Sequence, residues 1–232
     1  MDTVFFALIL SALLIPLVPW ENLRSLKAAG IELSLDRPEV ESAISGLGLE
    51  RIKSEQLKKG LVKLGEELQA IQGSRVLWID DNPHRITGER RLLRALGIQV
   101  IPAATSAEAE RILESDNDFD LIITDVQRIG NSHEIVGGID IHEGTNFVVK
   151  LRSHKDPVIQ SMPVIFYAAY PWQKLTRFTR PARELLPEPE ISNSVTDFVP
   201  KVVKRLAKAR ATPIATNELK VPTDERWHED VT

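Results

Sequence analysis

The chain has 232 residues, a formal net charge of −4 and no cysteine. The lack of cysteine excludes disulfides, thiolate catalysis and Cys-based zinc sites, and the slightly acidic balance gives no reason to expect a nucleic-acid partner. A composition of 43% hydrophobic and 27% charged residues is that of a globular protein, and the length allows one or two domains.

The chain begins with an apolar segment. Residues 4–20 read VFFALILSALLIPLVPW and carry no charge, which is close to the shortest length that spans a bilayer core. A cleaved signal peptide would normally begin with positive charges, which are absent here, and a buried core helix is the other alternative. We therefore predict a transmembrane anchor at residues 1–21. Because Arg24 and Lys27 follow it, the positive-inside rule predicts a single-pass protein of the cell inner membrane with its C-terminal domain in the cytoplasm.

Residues 22–73 form the predicted juxtamembrane segment. After a strand-like run at 31–35, apolar residues recur every three or four positions from Leu49 to Ile71. One interpretation is an amphipathic helix that packs on the following domain. The other is a short parallel coiled coil, which would make a homodimer through residues 49–71. Gly60 and Gly65 weaken the second interpretation.

Strand and helix signals alternate from residue 74 to residue 210, which predicts a domain with a parallel sheet and helices on both faces. We predict strands at residues 75–79, 98–102, 119–124, 163–168 and 190–191. We predict helices at residues 84–96, 106–115, 145–152 and 195–209.

Three segments show no regular pattern. Residues 128–143 are polar and predict a long loop, whose His133 and His142 match no metal-ligand spacing, so that a mobile lid or a partner-binding loop is expected. Residues 170–189 contain four prolines and predict either a long loop or a broken helix. Residues 211–232 lack periodicity and predict a disordered or loosely docked tail.

Acidic residues follow two of the predicted strands. Asp80 and Asp81 come directly after the first strand, and Asp125 follows the third. If the sheet order is 2-1-3-4-5, these strands are neighbours at the point where strand order reverses, and the three carboxylates converge on one pocket. Carboxylates held this close repel one another unless a cation such as Mg²⁺ compensates them, and the same ion would neutralise a phosphoryl group arriving at Asp125. The alternative is that these are solvated loop residues.

Five segments resemble the receiver domains of bacterial response regulators: VLWIDDNP (76–83), GIQVIPAATSAEAERIL (97–113), FDLIITDV (119–126), GTNFVVKLR (144–152) and MPVIFYAAY (162–170). The resemblance implies an α/β fold with a doubly wound, five-stranded parallel sheet (flavodoxin-like, order 2-1-3-4-5), preceded here by the anchor and a helical linker. It also implies Mg²⁺ held by Asp81, Asp125 and the backbone carbonyl of Gln127, with Asp80 beside them. Asp125 would be the phosphoacceptor, and the partner would be a histidine kinase or another signalling protein.

The sequence departs from that family at two switch positions. Ala168 stands where receivers carry Thr or Ser at the end of strand four, and the end of strand five reads Ile-Ser-Asn-Ser around Ser192, without the usual Lys. Lys201 is close in sequence but falls within the last predicted helix. Because the missing hydroxyl and ammonium would bind phosphoryl oxygens, a second hypothesis is a pseudo-receiver that acts as an interaction module without phosphorylation.

An enzyme is the third hypothesis, and we expect none. A Mg²⁺-dependent phosphatase or nucleotide hydrolase would need a substrate pocket and a general base that the sequence does not indicate. The G-x-S-x-G elbow, the Walker A motif and the G-x-G-x-x-G motif are also absent from the sequence.

Overall fold

The computed structural model describes residues 37–128, 135–136, 139–140 and 142–211. No helix within these ranges is both long and apolar enough to cross a membrane. This finding contradicts the predicted single-pass location in the inner membrane. The apolar segment at 1–21 that motivated the prediction lies outside the described residues, as do the strand-like run and the residues after 211.

The centre of the fold is a parallel sheet of five strands. In chain order, the described strands are β1 (Arg75–Ile79), β2 (Gln99–Ala103), β3 (Leu121–Thr124), β4 (Ile135–Val136), β5 (Ile139–Asp140), β6 (Val164–Tyr167) and β7 (Glu190–Ser192). The large sheet has the order β2-β1-β3-β6-β7, and β4 and β5 form a separate antiparallel pair within the segment predicted as a loop. The five sheet strands therefore follow the predicted order 2-1-3-4-5, and this part of the fold prediction is confirmed.

Helices cover both faces of the sheet. The described helices are α1 (Pro38–Ser45), α2 (Arg51–Val62), α3 (Gly65–Ala70), α4 (Thr87–Ala95), α5 (Ser106–Ser115), α6 (Glu143–Arg152), α7 (Pro157–Ser161), α8 (Trp172–Arg183) and α9 (Val195–Ala211). Within the proline-rich segment after residue 170, α8 is one helix from Trp172 to Arg183, and Pro171 directly precedes it. Pro181 lies inside the helix, two residues before its end, so the intrahelical hydrogen bond that it cannot donate is lost close to the point where the helix stops.

Alternation along the strands divides the core between the two faces. In β1, Val76 and Trp78 point to the face covered by α1 to α4 and α9, whereas Leu77 and Ile79 point to the face covered by α5 to α8. All four side chains are buried, which explains the continuous apolar run of this strand.

The helices before residue 74 pack on the sheet domain. Both α2 and α3 contact α9, and the apolar stripe is buried in the same core as the α9 side chains. The buried stripe residues are Leu57, Leu61, Leu64, Leu68 and Ile71. The structure therefore supports the amphipathic-packing interpretation, and the stripe is not exposed as the seam of a coiled coil between two chains.

This packing predicts unequal effects of two truncations in α2. Leu61→Ala removes a fully buried side chain and should lower the free energy of unfolding by about 2–5 kcal/mol. Ile52, whose side chain is 70% exposed, is the matched control, and Ile52→Ala should change it by less than about 0.5 kcal/mol. Urea unfolding of the full chain measures both. Equally small effects would show that α2 is not part of the cooperative core.

Candidate functional site

The sheet brings Asp80 and Asp125 to one edge. Strands β1 and β3 are parallel neighbours with Ile79 opposite Thr124, so the residues that follow them leave the sheet side by side. The Asp80 amide donates to the carbonyl of Ala103 at 3.0 Å, and the Asp125 amide donates to the carbonyl of Ile79 at 3.3 Å. These bonds extend the strand ladders by one residue and fix the backbone positions of Asp80 and Asp125.

The carboxylates face a cleft of about 560 Å³ at the carboxyl ends of the strands. Its lining residues are Asp80, Asp81, Asn82, Arg85, Ile86, Glu89, Asp125, Gln127, Tyr167, Ala168, Ala169 and Tyr170. The four residues predicted to bind metal all line this cleft, as does the switch position Ala168. The second switch position, Ser192, is not among the lining residues.

Burial leaves the two carboxylates poorly compensated. It raises the pKa of Asp125 from its ordinary value to about 8, with Arg128 opposing the rise and Asp80 and Asp81 adding to it. The pKa of Asp80 is also raised, first by burial, although its carboxylate accepts a 2.7 Å hydrogen bond from the backbone amide of Asn82. A cation in the cleft would offset the charge that causes both shifts.

The carboxylates fit a hard divalent ion, although they do not form a complete cage. Among the described residues no three His, Asp or Glu side chains lie close enough together to hold a metal ion. Magnesium needs fewer protein ligands than that, since it takes one or two carboxylates and keeps several waters. Asp80, Asp81, Asp125 and Gln127 all line the cleft, so one or two of these carboxylates would be enough for such an ion.

Sequence reasoning missed Arg128. Its guanidinium is 1% exposed and donates from Nη1 to Asp125 Oδ1 at 3.0 Å. The same Nη1 donates to Thr124 Oγ1, and Nη2 donates to Ser106 Oγ at 2.7 Å. An arginine three residues after an aspartate in a loop gives no periodic signal, and the contact that buries it comes from a helix 22 positions earlier in the chain.

Gly144, at the start of α6, packs directly against the backbone of Asp125 and Val126. Its amide donates to the carbonyl of Val126 at 3.1 Å, and a Cβ placed on it would overlap the Asp125 carbonyl oxygen. Only a glycine lets the start of α6 approach this closely.

The two switch positions lack the usual groups, and their substitutes point elsewhere. Ser192 Oγ donates to Asp197 Oδ2 at 2.7 Å. Lys201 Nζ donates to the same Asp197 oxygen at 2.7 Å and to the Ile191 carbonyl at 2.8 Å. Lys201 therefore does not take the place of the missing strand-five ammonium, as the sequence indicated.

Tyr167 connects the strand before Ala168 to the helix across the cleft. Its hydroxyl donates to Glu89 Oε1 at 2.9 Å, and its ring stacks on Phe198 at 4.1 Å between centroids. Burial, followed by the charge of Glu89, raises the pKa of Tyr167, so this hydroxyl remains a donor at neutral pH. The end of β6 is thus held by a tyrosine rather than free to move.

Titration of Asp125 should make stability depend on pH. Its carboxyl titrates at about 8 in the folded chain and at about 4 when unfolded, so the folded state binds the extra proton between these values. Stability without divalent ions should therefore fall by about 2 kcal/mol or more as pH rises from 4 to 8, and level off above 8.

Asp125→Asn should remove most of that slope, because the amide does not ionise. Asp118→Asn is the control, since the Asp118 side chain is 89% exposed at the opposite end of β3. Urea unfolding in EDTA at several pH values measures the slope. An unchanged slope in Asp125→Asn would contradict the assignment.

Comparison with known proteins gives structural matches alone. No family model matches the chain, and no curated protein matches it. The fold matches a response regulator receiver domain protein from Clostridium thermocellum (17% identity, 60% of this chain and 97% of that chain, TM-score 0.43). It also matches a CheY-like receiver domain protein from Methanospirillum hungatei JF-1 (19% identity, 60% of this chain and 98% of that chain, TM-score 0.44). A third match is the response regulator TrrA from Thermotoga maritima in complex with Mg²⁺-BeF (22% identity, 57% of this chain and 98% of that chain, TM-score 0.41). At these identities the matches concern the fold.

Proposed function

We propose that the chain is a receiver-like signalling module in which Asp125 accepts a phosphoryl group from a histidine kinase. In this proposal Mg²⁺ is held by one or two of the carboxylates of Asp80, Asp81 and Asp125 together with the backbone carbonyl of Gln127. The observation that carries it is the convergence of the Asp80 and Asp125 carboxylates on one cleft, where burial raises the pKa of both although Arg85 also lines the cleft.

The geometry leaves one oxygen of Asp125 available for reaction. Oδ1 accepts the hydrogen bond from Arg128, whereas Oδ2 has no hydrogen-bond partner in the described part of the chain. The carboxylate side chain is 16% exposed, so a donor reaches it through the cleft and not from all sides. Oδ2 is therefore the candidate nucleophile.

The transfer has a simple balance. Oδ2 of Asp125 forms a bond to phosphorus while the P–N bond of the kinase's phosphohistidine breaks. The electron pair of that bond stays on the imidazole nitrogen, which takes up a proton. A bound Mg²⁺ would offset the charge of the phosphoryl oxygens during this step. Arg128 meanwhile orients the carboxylate through its hydrogen bond to Oδ1.

A second function is supported by a separate observation. Ala168 has no hydroxyl, and the Ser192 hydroxyl and the Lys201 ammonium both donate to Asp197. A pseudo-receiver that binds its partner without phosphorylation would need none of these groups. In that case Asp125 would serve to hold Arg128 and to shape the cleft.

A phosphorylation assay on the full chain tests the first function. We expect acetyl phosphate with Mg²⁺ to add the mass of one phosphoryl group, and EDTA to prevent the addition because the cation would be removed. Asp125→Asn should abolish the addition, and Asp118→Asn should not. Intact-protein mass spectrometry measures the adduct.

The outcome without an adduct separates the two functions. If calorimetry detects Mg²⁺ binding that Asp125→Asn abolishes, but neither acetyl phosphate nor a phosphorylated histidine kinase modifies the chain, phosphotransfer is rejected and the pseudo-receiver stands. Absence of both Mg²⁺ binding and modification would overturn the metal-dependent proposal entirely.

A further inference from the structure

The guanidinium of Arg128 connects Asp125 to the start of helix α5. Three of its hydrogen bonds go to the end of β3: to Thr124 Oγ1, to Asp125 Oδ1 at 3.0 Å and to the Asp125 carbonyl at 3.4 Å. The fourth goes to Ser106 Oγ at 2.7 Å. Ser106 is the first residue of α5, so one buried side chain joins the candidate phosphoacceptor to a helix terminus.

This side chain carries a charge that needs a partner. Arg128 is 1% exposed, and a buried guanidinium is costly unless an anion compensates it. In the described ranges Asp125 is the carboxylate with which Arg128 forms an ion pair. Thr124 and Ser106 contribute hydroxyl oxygens, which are neutral. A Mg²⁺ ion bound at the cleft would keep Asp125 ionised at neutral pH, and in that state the position of the guanidinium depends on where the negative charge of Asp125 lies.

Phosphorylation moves that charge. When Oδ2 bonds to phosphorus, the carboxylate becomes an acyl phosphate and Oδ1 becomes a neutral carbonyl oxygen. The negative charge then lies on the phosphoryl oxygens, on the cleft side of the former carboxylate. Arginine forms strong, two-pronged hydrogen bonds with such oxygens, so the guanidinium is drawn from the interior toward the cleft.

We propose that Arg128 is the switch residue of this domain: it follows the charge of Asp125 into the cleft, releases Ser106 and thereby alters the start of α5. The inference rests on the proposed phosphorylation of Asp125. It assigns the signal to the α5 side of the sheet, whereas on the other side Ala168 has no hydroxyl and both Ser192 and Lys201 donate to Asp197.

Two capping hydrogen bonds lie beside Ser106 at the start of α5. Thr105 Oγ1 accepts from the Glu108 amide at 3.1 Å, and Glu108 Oε2 accepts from the Ala104 amide at 2.7 Å, which together cap the helix. Further along α5, Glu110 accepts a 2.6 Å bond from Lys150 of α6. A shift of α5 that begins at Ser106 would therefore also move Glu110, which pairs with Lys150 on the surface between α5 and α6.

NMR of the full chain tests the proposal with beryllofluoride and Mg²⁺ as the probe. In the wild type we expect saturating probe to shift the amide resonances of residues 80–82 and of residues 105–109. Ser106→Ala should keep the first set of shifts and lose most of the second, because the transmitted bond is absent. Ser115→Ala, at the other end of the same helix, is the control and should behave as the wild type does.

A change at Arg128 gives an independent measurement. Arg128→Met keeps the length of the side chain and removes its charge, and it should abolish the response of residues 105–109 at saturating probe. Arg128→Lys keeps the charge and should restore part of that response. Rescue by the lysine variant separates a charge-dependent role from simple loss of packing.

The contrary results are distinct. If the probe shifts residues 80–82 and 105–109 equally in the wild type and in Ser106→Ala, Asp125 is a functional acceptor site and the role of Arg128 is overturned. If the wild type shows no shifts at all, the proposed function fails, and the inference that rests on it fails too.

Discussion

The pairing of β1 with β3 is the constraint on which the site depends. Because these strands are parallel and in register, each chain segment that leaves them carries its carboxylate to the same edge. This position is unfavourable for the charged forms of Asp80 and Asp125, since burial raises the pKa of both. The sheet is held together by its apolar faces, and the hydrophobic core thereby supports an unfavourable concentration of charge at its end.

Arg128 partly compensates that charge from within the core, where it forms an ion pair with Asp125. A buried ion pair contributes little to net stability, because the desolvation of both groups offsets their attraction. Its value is positional, since it orients one oxygen of Asp125 inward. The two sides of the domain have separate hydrogen-bond connections. Arg128 connects Asp125 to Ser106 of α5, whereas Ser192 and Lys201 connect β7 to α9.

Much of this architecture could be predicted from short patterns. The β1 boundaries follow from an apolar run that ends at Asp80, and the parallel sheet follows from alternating strands and helices. The strand order was implied by the resemblance to receiver domains and not by the pattern itself. Helix α8 could not be assigned, because an internal proline removes an intrahelical hydrogen bond and so argues against a helix, whereas Pro181 lies inside this one, two residues before its end. The stripe from Leu49 to Ile71 was ambiguous for another reason: the same spacing suits a helix partner within the chain or in a second chain.

The candidate site was predictable to the extent that it depends on strand ends. Asp80, Asp81 and Asp125 were found in this way, and the cleft contains all three. Arg128 was not found, because burial of a single charged side chain depends on contacts between segments distant in sequence. Gly144 was not found either, since its importance comes from a backbone approach that leaves no mark on the pattern of apolar residues.

Arg128 and Gly144 also fix the two ends of the connection that runs between them. One is fastened to the Asp125 side chain, and the other lies against the Asp125 carbonyl, so the two ends of the connection between them are fixed at a single point. Doubling the length of a connection whose ends are already held together costs only about 0.6 kcal/mol in closure entropy. A peptide tag or a small reporter domain inserted between these two anchors would therefore leave the sheet intact and would report directly on the neighbourhood of Asp125.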